Sequence, residues 1–136
     1  MQPIHYCNTD LCLESAHDLT ALASWCEQKG LIVLRVDQEQ GHWTAWFEAD
    51  VDADEPAGHI TALLEAIEAF PEVHRETWDG CKTREFDMGF DCGDRPWAFH
   101  QEISAGLVNR IASMNASLRV TLYPESSSPP NPQENL

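Results

Sequence analysis

Six histidines, five cysteines and 23 carboxylates are the side chains here that can bind metal, move protons or act as nucleophiles. Spacing decides what each can do. The histidines are His5, His17, His42, His59, His74 and His100. They form no HExxH or HxH motif and no cysteine–histidine pair at zinc-finger spacing. A metal site would have to be assembled across strands, for example from His42 with His74 and Glu76, and would make the chain a small metal-dependent hydrolase. Asp50, Asp52 and Asp54 imitate the start of an EF-hand loop. The sixth position is Glu55 where glycine is needed, and the twelfth is Thr61 where glutamate is needed. The plainer account is a solvated loop whose acids favour the positive N-terminus of a following helix. Glu85, Asp87, Asp91 and Asp94 form a second acidic cluster, and paired carboxylates can do acid–base or two-metal work. Asp87 and Asp91 lie on the polar side of an alternating segment, where a solvated face is expected.

The cysteines are Cys7, Cys12, Cys26, Cys81 and Cys92, an odd count with no CxxC pair. The chain opens without a basic, apolar leader, so the expectation is reduced thiols in the cytoplasm, most of them acting as small buried hydrophobes. Cys81 beside Lys82, and Cys92 with His100 nearby, fall in turn-like segments. A thiolate nucleophile needs a positive environment, and the formal net charge of −15 opposes one. No GxSxG, P-loop or GxGxxG occurs. The reading is therefore a non-enzyme with no catalytic residue, no cofactor and no metal.

The strongest signal is charge. Between Arg35 and Arg75 there is no lysine or arginine, while ten acids occur. A surface of one sign selects a partner of the other and speeds the encounter. It also repels nucleic acid and anionic membrane, and the longest aliphatic run, Leu31 to Leu34, is too short to span a bilayer.

The elements that must position these groups follow from periodicity. The alternation of Leu11 and Leu13 with Cys12 and Glu14 predicts a strand over 4–14. Ser15 is placed to cap a helix carrying Leu19, Leu22, Ala23 and Cys26, with Gly30 as its stop. The run 31–36 reads as a well-buried strand, 37–41 as a turn, and 42–49 as a strand with Trp43, Ala45 and Phe47 on one side. Pro56 opens a helix with the stripe Ile60, Leu63, Leu64, Ile67 and Phe70. Strands are expected over 73–78, around Phe86, Met88 and Phe90, and over 98–103. Ser104 caps a helix with Leu107, Val108, Ile111 and Met114, and Leu118, Val120 and Leu122 make a last strand. Residues 1–124 are expected to form a single α+β domain and 125–136 a disordered tail.

This order predicts a mostly antiparallel sheet with about three helices packed on one face, a ferredoxin-like βαββαβ arrangement with a C-terminal ββαβ extension. The other face is then open. It carries Trp46 on one strand and Trp78 on the next, both candidate interface anchors.

From Ser104 to Pro124 the segment Ser-Ala-Gly-Leu-Val-Asn-Arg-Ile-Ala-Ser-Met-Asn-Ala-Ser-Leu-Arg-Val-Thr-Leu-Tyr-Pro resembles the C-terminal signature of a bacterial domain family of unknown function. There a short helix after a serine cap leads into a final strand ending in Tyr-Pro. That family looks like one of the small immunity domains encoded beside polymorphic toxin genes. The resemblance covers about a sixth of the chain and implies a binding role without catalytic residues.

Charge and resemblance together lead to an acidic cytoplasmic protein that neutralises a basic protein partner, a toxin and possibly a nuclease, by occluding its active site. The expected contact residues are Asp50, Asp52, Asp54, Glu55, Glu65 and Glu68, with Trp46 and Trp78 as anchors. A small-molecule-sensing regulatory domain is the alternative.

Overall fold

The computed structural model describes residues 2–124. Strand β1 (His5–Ser15) leads into helix α1 (Thr20–Gln28), followed by the hairpin of β2 (Ile32–Glu39) and β3 (His42–Glu48). Helices α2 (Pro56–Glu68) and α3 (Glu72–Asp79) come next, then strand β4 (Thr83–Asp91), helix α4 (Ala105–Ser113) and strand β5 (Ser117–Tyr123). The five strands form one sheet in the order β2-β3-β1-β4-β5. Strand β1 runs antiparallel to both of its neighbours, β2 and β3 are antiparallel, and β5 lies parallel to β4. A parallel pair needs a crossover, which α4 supplies.

Local chemistry explains most boundaries. Helix α1 stops where Gly30 takes φ +97°, a left-handed position that costs glycine nothing. Glu39 pairs with His42, and between them Gln40 and Gly41 have φ of 52° and 79°. That is the two-residue hairpin whose twist suits its strands. Pro56 opens α2, and Ser104 caps α4 by accepting the Leu107 N–H at 3.2 Å.

Strand alternation sends Leu11, Leu13, Ala45, Phe47, Phe86 and Met88 to one side of the sheet, into a single cluster with the buried helix residues. Leu63 and Leu64 on α2 are fully buried, each contributing about 1.5–3 kcal/mol by transfer from water. The helices therefore lie over one face, and among the described residues the opposite face is left to its own side chains.

Three expectations are corrected. Residues 73–78 are helix α3, not a strand. His74 and Trp78 share a side at both two-residue and four-residue spacing, so the alternation there was ambiguous. The Pro71 carbonyl accepts from the His74 and Arg75 N–H groups and starts the helix. Residues 98–103 form no strand. The stretch 31–36 is not a well-buried strand either: β2 is an edge of the sheet, with Ile32 38% and Leu34 47% exposed. The helices among the described residues accordingly number four. The tail expected over 125–136 lies outside the described residues. Among the described residues no helix is long and apolar enough to cross a membrane.

Candidate functional site

The uncovered face of the sheet concentrates charge at its centre. Asp10 on β1 stands opposite Glu48 on β3 and opposite Asp87 on β4, and Asp87 stands opposite Arg119 on β5. Directly opposed side chains in a sheet have Cβ atoms about 4.5–5.5 Å apart, so three carboxylates occupy neighbouring places. Arg119 is engaged elsewhere, its Nε 2.9 Å from Oε1 of Glu85. The row is held by neutral donors instead. The Asn8 side-chain amide donates to Asp10 at 3.0 Å, and the Thr121 hydroxyl donates to Asp87 at 2.6 Å. Burial pushes the Asp10 carboxyl up from 3.8 to about 6, and the charges of Glu48 and Asp87 push the same way. A cation placed over this row would relieve the crowding.

The next row across the sheet is Trp46, Cys12 and Glu85. Cys12 is buried, yet it lies outside the apolar core, beneath the side chains of this face. Burial raises its thiol to about 12, reinforced by Glu14 and Glu85, so it is not a nucleophile. The Arg35 guanidinium lies 6.0 Å from the Trp46 ring centroid. The Trp46 indole N–H is buried and has no acceptor among the described residues. Such a group costs about 1–3 kcal/mol. The Tyr123 ring is close over Gly89: a Cβ at that glycine would come within 3.2 Å of Tyr123 Cε2.

The acids expected to form the site divide among three places. Asp50 and Asp52 line a shallow hollow with Ile32 and Glu48, so they extend the central row beyond the end of β3. Their loop is tied down from inside. His59 Nε2–H donates to the Val51 carbonyl at 3.1 Å, which leaves Nδ1 to accept from the Tyr6 hydroxyl at 2.6 Å. The Thr9 hydroxyl completes the chain 2.6 Å from the Tyr6 oxygen. Asp54 and Glu55 are exposed at the start of α2, where the helix dipole favours them.

Glu65 and Glu68 belong to the helical side. Glu65 lines a groove between α1 and α2 with Trp25, Lys29 and Asp50. Glu68 is not an uncompensated acid: Arg110 of α4 donates to both of its carboxylate oxygens, from Nε at 3.1 Å and from a terminal nitrogen at 2.6 Å.

The two tryptophans part company. Trp46 remains on the open face. Trp78 is no surface anchor, being fully buried with its indole N–H donating to the Met114 carbonyl at 2.9 Å. The trio His42, His74 and Glu76 is not assembled. His42 on β3 approaches Glu14 at 3.6 Å, whereas His74 on α3 packs against Trp25 and Phe70. Cys81 is buried, and burial raises its thiol to about 11. At the far end of the open face His5, Cys7 and Asp91 bring three different donor atoms together.

Asp10 was missed by sequence reasoning. Its signal was the polar alternation Asp10, Cys12, Glu14 against Leu11 and Leu13, but its neighbours come from strands far away in the chain. No protein-family model, curated protein or solved structure matches this chain.

Proposed function

We propose that this chain is an immunity-type binding protein that docks a basic protein partner on the open face of its sheet. The observation that carries the reading is the row Glu48–Asp10–Asp87. Like charges directly opposite are unfavourable in an isolated sheet, and a cationic surface converts that repulsion into attraction. Trp46, half-buried on the same face, supplies an apolar anchor. Asp50 and Asp52 widen the acidic field and steer the approach. A nuclease toxin fits this chemistry, because its active site must attract phosphate and is therefore basic. Covering that site would neutralise it.

The succession β1-α1-β2-β3-α2-β4 supports reading the first 91 residues as a ferredoxin-like unit into which α3 is inserted. The helix α4 and strand β5 then extend the sheet. Five unpaired thiols suit a reducing cytoplasm.

The test is capture from the native cell extract at low and high salt, followed by measured affinity for the captured protein. The wild type is expected to retain one basic protein at low salt and lose it at high salt. The double substitution Asp10→Asn with Glu48→Gln should abolish capture, and Trp46→Ala should weaken it at both salts. Asp50→Lys with Asp52→Lys should slow association. Glu65→Gln on the helical side should change nothing. Undiminished capture by the Asp10/Glu48 variant, or no basic protein at all, rejects the reading.

A second reading draws on the groove between α1 and α2, about 480 Å³ with Trp25, Lys29 and Glu65 on its walls. A cavity of that size suits a small ligand and supports a sensing role, on the helical side of the molecule.

A further inference from the structure

We propose that His5, Cys7 and Asp91 form a binding site for a thiophilic divalent cation of the zinc class, at the end of the open face formed by β1 and β4. The proposal rests on residues outside the Glu48–Asp10–Asp87 row, and it stands or falls apart from the docking reading.

The site is built by a break in strand pairing. His5 and Asp91 are register partners, with imidazole Nδ1 3.3 Å from the carboxylate Oδ2. Between Tyr6 and Asn8 the register slips, so Cys7 has no partner on β4. Tyr6 and Thr9 on either side both stay buried in the core. The two residues between them are thereby left on the open side. A bulge of this kind re-aims a side chain, and here it sets the Cys7 thiol beside the His–Asp pair. One ligand atom from each of the three residues lies within 4.8 Å of the other two.

The donor set determines the class of ion. Imidazole nitrogen, thiolate sulfur and carboxylate oxygen are the three donor types that zinc accepts in tetrahedral sites. Three protein ligands leave the fourth position to water. The thiolate excludes calcium and magnesium, which want oxygen alone, and favours softer cations. The side chains of His5 and Asp91 are more than half exposed, so ions have access and both groups have room to close on one.

In the metal-free protein the Cys7 thiol keeps its proton, raised by burial and by its hydrogen bond to Asp91. Binding exchanges that proton for the ion: the S–H bond breaks, the sulfur electron pair forms the bond to M²⁺, and H⁺ leaves to solvent.

Cobalt(II) is the probe, added to chelator-treated full chain. The expected result is one equivalent bound, with a near-ultraviolet thiolate-to-cobalt charge-transfer band and tetrahedral visible bands. Zinc should bleach them, whereas millimolar magnesium or calcium should not. Cys7→Ser should abolish the charge-transfer band. His5→Ala and Asp91→Asn should each weaken cobalt binding on the order of tenfold or more. Cys92→Ser, next to the site, should leave the spectrum intact, and circular dichroism checks that each variant is folded. Absence of the thiolate band in the wild type, its persistence in Cys7→Ser, or its loss in Cys92→Ser overturns the proposal.

Discussion

Asp10 and Glu48 stand directly opposite each other across the β1–β3 pairing, on the face of the sheet that no helix covers. Asp87 flanks Asp10 on its other side, so the central strand carries a carboxylate between two carboxylates. Ordinary folding would place a lysine or threonine in such a row. The arrangement makes sense as a surface whose energy falls when a cationic partner arrives.

The crowding has a measurable pH signature. Folded Asp10 holds its proton up to about 6, whereas the ordinary value is 3.8. Between those values the folded state binds more protons than the unfolded chain, so this group's contribution to stability falls as pH rises through the window. Asn imitates the protonated acid. Asp10→Asn is therefore expected to stabilise the protein at pH 7 by roughly 1 kcal/mol, with the advantage vanishing near pH 4. Thermal melts of both proteins across pH 4–7 check this, and a constant offset at every pH would contradict it.

Trp46 and Trp78 should answer differently to the same substitution. Trp78 fills the core, and its N–H ties α3 to the carbonyl of Met114 at the end of α4. Trp78→Phe leaves a void and an unsatisfied carbonyl, an expected loss of about 2–4 kcal/mol in denaturant unfolding. Trp46→Phe removes an N–H that has no acceptor among the described residues. It should cost less than about 1 kcal/mol, while lowering affinity for the partner.

These two residues also mark how far the sequence could be read. Several local readings held: the stripe on α2, the Ser104 cap, the glycine stop at Gly30, the alternation of β3. The Ser15 cap did not, because Ser15 ends β1 and α1 starts only at Thr20. Around Trp78 a strand and a helix predict the same faces for His74 and Trp78, and only the fit of Trp78 against Phe70 and Met114 distinguishes them. Pairings across the chain were out of reach altogether. Glu68 finds Arg110 from 42 residues away, and the acidic row joins three strands whose order no local pattern reveals. The base-free window between Arg35 and Arg75 was real as sequence but is not one surface. The fold sends part of it to the open face and part to the helical side.

The thiols should divide by burial. Cys12 and Cys26 are pushed to about 12 and Cys81 to about 11, in each case chiefly by burial. Cys7 and Cys92 are partly exposed. A maleimide at pH 7.5 is expected to label Cys7 and Cys92 in the native protein, and the other three only after unfolding. Peptide mass spectrometry over time reads the order. Zinc should protect Cys7 selectively, and early labelling of Cys26 would contradict the core described here.

The hydroxyl of Tyr6 links two parts of the molecule, taking a hydrogen bond from Thr9 and giving one to His59. His59 in turn holds the Val51 carbonyl in the acidic loop. All three side chains are buried. Tyr6→Phe leaves a buried imidazole nitrogen and a buried hydroxyl without their partner, an expected cost of about 1–3 kcal/mol. His59→Ala breaks the link to the loop as well. Amide exchange over residues 50–54 should then accelerate beyond what global destabilisation explains, whereas Tyr6→Phe leaves the His59–Val51 bond in place and should not produce that local excess. Asp50 and Asp52 would lose their fixed position beside Glu48, and partner association should slow in His59→Ala alone. Equal loop exchange in the two variants, after correction for stability, would show that His59 merely fills the core.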